Sequence, residues 1–122
     1  MRILIIDDDE IFCRLLVEII ESWGVDAIST TDGIAGYEMM SRGEYDLCII
    51  DVRMPLILGT EVADAIKQDH PQARIILASA FADESLHDFA RRKGIFLLSK
   101  PFTAKGLLDT VERALGESIH HP

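Results

Sequence analysis

The sequence predicts an α/β fold, a parallel sheet with helices on both faces. Short apolar runs alternate along the whole chain with segments whose apolar residues recur at helical spacing. The run Leu47-Cys48-Ile49-Ile50 has no polar alternation, the pattern of a strand buried on both faces. The runs also end in polar residues, Asp7, Asp51, Ser79 and the near neighbour Lys100. In open α/β sheets, ligands bind just beyond the carboxyl ends of the strands.

Ile3 to Ile6 is the first strand and runs into Asp7-Asp8-Asp9-Glu10. Ile11, Phe12, Leu15, Leu16, Ile19, Ile20 and Trp23 then recur at helical spacing, with Asp9 as N-cap and Gly24 as the stop. Val25 to Ser29 is the second strand; Thr31-Asp32-Gly33 turns into a helix carrying Ile34, Tyr37 and Met40, which Gly43 ends. The third strand, Leu47 to Asp51, cannot simply continue past Pro55. Gly59 opens a third helix with Val62, Ala63 and Ile66 inward, closed by His70-Pro71. Ala73 to Ala78 is the fourth strand, ending in Ser79-Ala80. Asp83-Glu84 starts a fourth helix with Leu86, Phe89 and Ala90, which Gly94 terminates. Ile95 to Leu98 is the fifth strand, followed by Ser99-Lys100-Pro101-Phe102, and Thr103 caps a last helix with Leu107, Leu108, Val111 and Leu115.

With 122 residues, 48% apolar and 27% charged, the chain is a single globular domain with one core, over residues 1–117. Residues 118–122 carry no pattern and read as a frayed tail or a remnant. Apolar runs of at most four residues exclude a membrane span, and the N-terminus has no signal-peptide cleavage pattern, so a cytoplasmic location is expected. A net charge of −9 without a basic stripe argues against nucleic acid as a partner. Arg91-Arg92-Lys93 ends a helix, where cations complement the dipole. Cys13 and Cys48 lie within apolar segments and read as core thiols.

The strand ends bring Asp7 and Asp8, Asp51, Ser79 and Lys100 to one edge. Clustered carboxylates repel one another unless a cation intervenes. Mg²⁺ suits such a site, because it binds through one or two carboxylates and keeps waters for a phosphate. A metal beside a carboxylate, faced by a lysine and a hydroxyl, is equipment for phosphoryl transfer.

These residues carry a resemblance. The Asp7-Asp8 pair, Asp51 with Met54, Pro55 and Gly59, Ser79-Ala80 and Lys100-Pro101-Phe102 occur in order, each at a strand end or the turn after it. The chain resembles a receiver domain of the two-component response regulators. The resemblance implies the flavodoxin-like, doubly wound strand order 2-1-3-4-5, with five helices. It implies that Asp51 accepts a phosphoryl group from a histidine kinase or phosphotransfer protein, a signalling role rather than an enzyme's. It further implies that Asp8, Asp51 and the Arg53 backbone carbonyl hold Mg²⁺, with Asp7 acting through a water. The resemblance also implies that Lys100 pairs with a phosphoryl oxygen, that its bond to Pro101 is cis, and that the Ser79 hydroxyl swings onto the phosphoryl group. It implies as well that output runs to a downstream protein through the fourth helix, fifth strand and fifth helix; a homodimer is compatible with this. No output domain follows in these 122 residues, so output is expected through protein contacts.

Two stretches depart from the family pattern. Relatives carry Tyr or Phe three residues before the lysine; here Leu97 stands there and Phe96 one residue earlier. Strand alternation turns Phe96 to the other face unless a bulge intervenes. Leu56-Ile57-Leu58 occupies a loop that is usually polar, either as an exposed contact patch or packed down locally. Phe81, two after Ser79, suggests hindered water attack and a long-lived phosphate. Two other readings compete. A haloacid-dehalogenase-type phosphatase would use Asp7 as nucleophile and Asp9 as general acid, leaving the Asp51 motif unexplained. A receiver-like docking module would work without phosphorylation.

Overall fold

The structure, a computed structural model, describes residues 1–119. Five parallel strands, β1 (Arg2–Ile6), β2 (Asp26–Thr30), β3 (Leu47–Asp51), β4 (Ile75–Ser79) and β5 (Phe96–Ser99), form one sheet in the order β2-β1-β3-β4-β5. Five helices alternate with them: α1 (Glu10–Glu21), α2 (Gly33–Ser41), α3 (Gly59–Asp69), α4 (Glu84–Lys93) and α5 (Ala104–Leu115). The doubly wound expectation holds.

In place of the single core expected from the chain length, side chains that alternate along each strand build two, one on each face, because helices cover both sides of the sheet. Ile3, Ile5, Ile49 and Leu98 face α1 and α5, where Cys13, Leu16, Ile20, Leu107 and Val111 meet them. Leu4, Ile6, Cys48, Ile50 and Leu77 face the other side, against Met40, Val62, Ile66, Leu86 and Ala90. Each fully buried aliphatic side chain contributes about 1.5–3 kcal/mol, and β3 and β4, buried along their whole length, are apolar until their last residue. Both cysteines are buried and free, and burial pushes both thiols up, Cys48 by burial alone.

The helix starts follow from their caps. Asp9 accepts from the Phe12 N–H (3.1 Å), Asp32 from Ile34 (2.9 Å), Asp83 from Leu86 (2.9 Å) and Thr103 from Gly106 (2.9 Å). Three strands are shifted towards the C-terminus of their expected spans. Val25 precedes β2, whose pairing starts with Asp26 opposite Arg2. Ala73 closes a turn onto the His70 carbonyl (2.9 Å), so β4 starts at Ile75 opposite Cys48. The Ile95 N–H is still bonded to the Ala90 carbonyl of α4 (2.8 Å), so β5 starts at Phe96. At the C-terminus, the Ile119 N–H donates to Glu112 Oε2 (2.7 Å) and its side chain packs on the α1/α5-side core; residues 120–122 of the expected tail lie outside the described residues. Among the described residues, no helix is long and apolar enough to cross a membrane.

Candidate functional site

The parallel order puts the ends of β1, β3, β4 and β5 side by side, and each delivers one polar group. Asp7 follows β1, Asp51 and Ser79 end β3 and β4, and Lys100 follows β5. Asp7, Asp51 and Ser79 are buried, whereas Asp8 is exposed at the mouth. Asp7, Asp8 and Asp51 each bring a carboxylate oxygen within 4.8 Å of the others. Lys100 Nζ bridges two of them, 3.0 Å from Asp51 Oδ1 and 3.2 Å from Asp7 Oδ2. The second Asp7 oxygen accepts from the Asp9 N–H (2.9 Å), which fixes the plane of that carboxylate.

Burial raises the Asp51 carboxyl above the usual carboxylate range; the Lys100 hydrogen bond opposes this, and the charges of Asp7 and Asp8 add to it. For Lys100, burial alone would lower the ammonium, but its contacts with Asp51 and Asp7 outweigh that and raise it. One ammonium among three carboxylates leaves the site short of positive charge. A hard divalent cation with oxygen ligands fits that shortage.

Gly59 sets how closely α3 approaches β3. Its N–H donates to the Val52 carbonyl (2.8 Å), and a Cβ here would lie 2.1 Å from the Asp51 carbonyl oxygen. The β3–α3 loop between them splits its apolar residues. Ile57 packs on the α3-side core, while Leu56 and Leu58 are exposed. Leu56 has φ +74°, the left-handed region that costs a non-glycine residue about 1 kcal/mol. Arg53, two past Asp51, is exposed in the same loop.

Ser79 Oγ is turned into the β4–α4 loop, donating to the Phe81 carbonyl (2.7 Å) and accepting from the Phe81 N–H (3.1 Å). The peptide bond between Lys100 and Pro101 is cis. β5 pairs with β4 residue for residue, Leu77 opposite Leu97, with no bulge. Leu97 therefore joins the α4-side core, while Phe96 packs on the α5 side beneath the Arg113 guanidinium, 5.5 Å from its ring centroid. The Asp9 carboxylate caps α1.

Residues 3–112 match the response regulator receiver domain family. The chain belongs to that family. Receiver domains serve two-component signalling, and this chain is one of them. Among curated proteins it is similar to the polar-differentiation response regulator DivK of Brucella ovis, 27% identical over 119 residues, covering 95% of this chain and 97% of the relative. Two solved structures share the fold. A CheY-like receiver domain protein of Methanospirillum hungatei JF-1 superposes with TM-score 0.88 at 23% identity, covering 94% of this chain and 93% of the other. Chemotaxis protein CheY4 of Vibrio cholerae does so with TM-score 0.86 at 22% identity, over 93% and 98%.

Sequence reasoning assembled Asp7, Asp8, Asp51, Ser79 and Lys100 at one edge, and the structure brings them together there. It missed Phe12, whose ring centroid lies 4.5 Å from Lys100 Nζ. At helical spacing Phe12 reads only as core, and nothing in a linear pattern shows which strand end it faces. The double hold of the Phe81 backbone on Ser79 was also missed; it is a local turn, and a serine at the strand end is its only signal in the sequence.

Proposed function

We propose that this receiver domain is a phosphorylation switch, with Asp51 as phosphoacceptor. The carrying observation is the buried Asp51 carboxylate, paired with Lys100 at 3.0 Å and crowded by Asp7 and Asp8. A phosphohistidine on a histidine kinase or phosphotransfer protein is the donor. An Asp51 oxygen attacks phosphorus, the P–N bond breaks, and the imidazole leaves with the electron pair and takes a proton, leaving an acyl phosphate. Asp8, Asp51 and the Arg53 carbonyl would hold Mg²⁺, with Asp7 through a water. The ion would offset charge on the phosphoryl oxygens. Lys100 balances the same charge from the opposite side.

The Ser79 hydroxyl is a donor occupied by a neutral carbonyl. A phosphoryl oxygen is a stronger, charged acceptor, so the hydroxyl transfers to it and frees the Phe81 backbone and the loop before α4. Leu97, smaller than an aromatic ring, follows that loop on the α4 side. The readout is a changed α4/β5/α5 face for a downstream protein. Six large apolar side chains, Ile11, Leu15, Ile34, Leu56, Leu58 and Phe81, stand exposed on the helices and loops that leave β1 to β4 around this mouth. Their position supports a donor protein seated over Asp51. A cytoplasmic location accords with this reading.

The test is incubation with Mg²⁺ and acetyl phosphate, read by intact mass. The expected product gains one hydroxylamine-labile phosphoryl group; a protein that gains none sinks the reading. Phe81, exposed two residues past Ser79, would screen the acyl phosphate from water. Phe81→Ala is expected to shorten the phosphate half-life severalfold, measured by its decay after the donor is removed.

Mg²⁺ binding should depend on pH in a defined direction. The Asp51 proton is bound more tightly folded than unfolded, so metal-free protein is stabilised below the ordinary carboxylate pKa. That stability is lost as pH rises through the raised Asp51 value. Mg²⁺ must displace the same proton. Its apparent affinity should therefore fall about tenfold per pH unit below that value and level off above it, read by calorimetric titration. An affinity that is flat across the acid range would contradict the assignment of Asp51 as a ligand.

A further inference from the structure

Lys100 is enclosed on three sides. Two are the carboxylates of Asp51 and Asp7, at 3.0 and 3.2 Å; the third is the ring of Phe12, with Nζ 4.5 Å from its centroid. Phe12 lies in the first turn of α1, and its ring meets Phe102 edge-on, with centroids 5.7 Å apart and planes at 70°. Phe102 is two residues past Lys100, so the loop that carries the lysine also buttresses the ring. A ring face is the negative part of an aromatic quadrupole and attracts an ammonium, more strongly where water is scarce. The Lys100 side chain is only 24% exposed.

Beside this ring runs a groove of about 450 Å³, lined by Phe12, Leu15, Ile19, Pro101, Phe102 and Lys100 itself, among others. Without the ring, the groove would open onto the ammonium, and the flexible four-carbon lysine stem would have room to swing into it. That matters during phosphoryl transfer, when the ammonium must stay over Asp51 to meet the incoming phosphoryl oxygens.

We propose that Phe12 is a positioning residue for phosphoryl transfer, its ring holding the Lys100 ammonium over Asp51. The inference rests on the phosphoacceptor reading of Asp51. Phe12 touches no reacting atom; it acts through the lysine. It ties α1 to the reacting edge of the sheet, so the face of α1 that a donor protein would meet is one side chain away from Lys100.

The test compares Phe12→Leu, which keeps an apolar side chain of similar reach, with Phe12→Tyr, which keeps the ring. Three readouts are taken at temperatures where each variant is folded. The first is the initial rate of phosphorylation by acetyl phosphate with Mg²⁺. Phe12→Leu should slow it about threefold to tenfold, and Phe12→Tyr should restore it. The second is the same comparison in a Lys100→Met background. There Phe12→Leu should add no further loss, because the two residues act as one unit. The third is the ¹H–¹⁵N signal of the Lys100 ammonium, shifted upfield by the ring in the native protein and relaxing in Phe12→Leu. An unchanged rate and ammonium signal in Phe12→Leu would overturn the proposal, as would an equal loss in the Lys100→Met background. If the native protein takes up no phosphoryl group, the phosphoacceptor reading fails. The ammonium signal then decides alone: a ring-shifted resonance upholds the hold on Lys100, and an unshifted one overturns it.

Discussion

Asp51→Asn is expected to abolish phosphoryl uptake, a loss of at least about 100-fold, while leaving the protein folded. An amide is not a nucleophile towards phosphorus at neutral pH, and Asn also removes one of the three converging carboxylates. The fold should survive, because the Asn Oδ1 can still accept from Lys100 where the carboxylate does now at 3.0 Å. Burial and the charges of Asp7 and Asp8 work against an ionised Asp51, so its replacement is expected to raise stability at neutral pH without metal. The gain is read as a higher Tm of the metal-free protein. Intact mass after acetyl phosphate and thermal unfolding read the two effects separately. Phosphoryl uptake that persists in Asp51→Asn and disappears in Asp7→Asn would transfer the nucleophile to Asp7. That is the phosphatase-type arrangement, in which Asp9 would have to leave its cap on the Phe12 N–H.

The second large effect is expected at Gly59, which carries no chemistry. A Cβ there would stand 2.1 Å from the Asp51 carbonyl oxygen, 2.8 Å from its carbon and 2.9 Å from Val52 Cα. All three obstacles are backbone, so no side chain can turn aside and α3 must move off β3. Gly59→Ala should cost about 3 kcal/mol or more and lower Tm by roughly 10 °C. It should also slow phosphorylation of the remaining folded protein about tenfold or more, since small misplacements of a reacting group are expensive. Gly36→Ala is the comparison: the nearest obstacles to its added Cβ are all side-chain atoms of the buried Ile6, at 2.3, 2.6 and 3.3 Å, so the clash falls on one side chain rather than on backbone. The two variants should differ clearly in thermal unfolding. A Tm for Gly59→Ala within about 2 °C of the native protein would show that the Gly59–Asp51 approach is not tight.

Both variants concern a motif that is legible without coordinates, and they show where legibility stops. Asp51 stands out because a four-residue apolar run breaks on a carboxylate before Pro55. Gly59 belongs to the same motif, but only the packing of α3 on β3 explains why nothing larger fits. The β3–α3 loop is a sharper case. Three apolar residues in a row carry no periodicity from which to choose a face, and the structure sends Ile57 inward and Leu56 and Leu58 outward. Leu97 and Phe96 are the opposite case, since alternation along a strand is a local rule and places them on opposite faces without a bulge.

By itself, the sequence determined the elements, their order and the strand ends that carry Asp7, Asp51, Ser79 and Lys100. Those features follow from period, caps and breakers acting within a few residues. Only the tertiary structure decided what meets across the chain. It set the Lys100 bridge between Asp7 and Asp51 over separations of 93 and 49 residues, and the Phe12 ring against that ammonium. These depend on the order in which strands associate and on how closely helices approach the sheet. Both are properties of the assembled packing that no short window of sequence encodes.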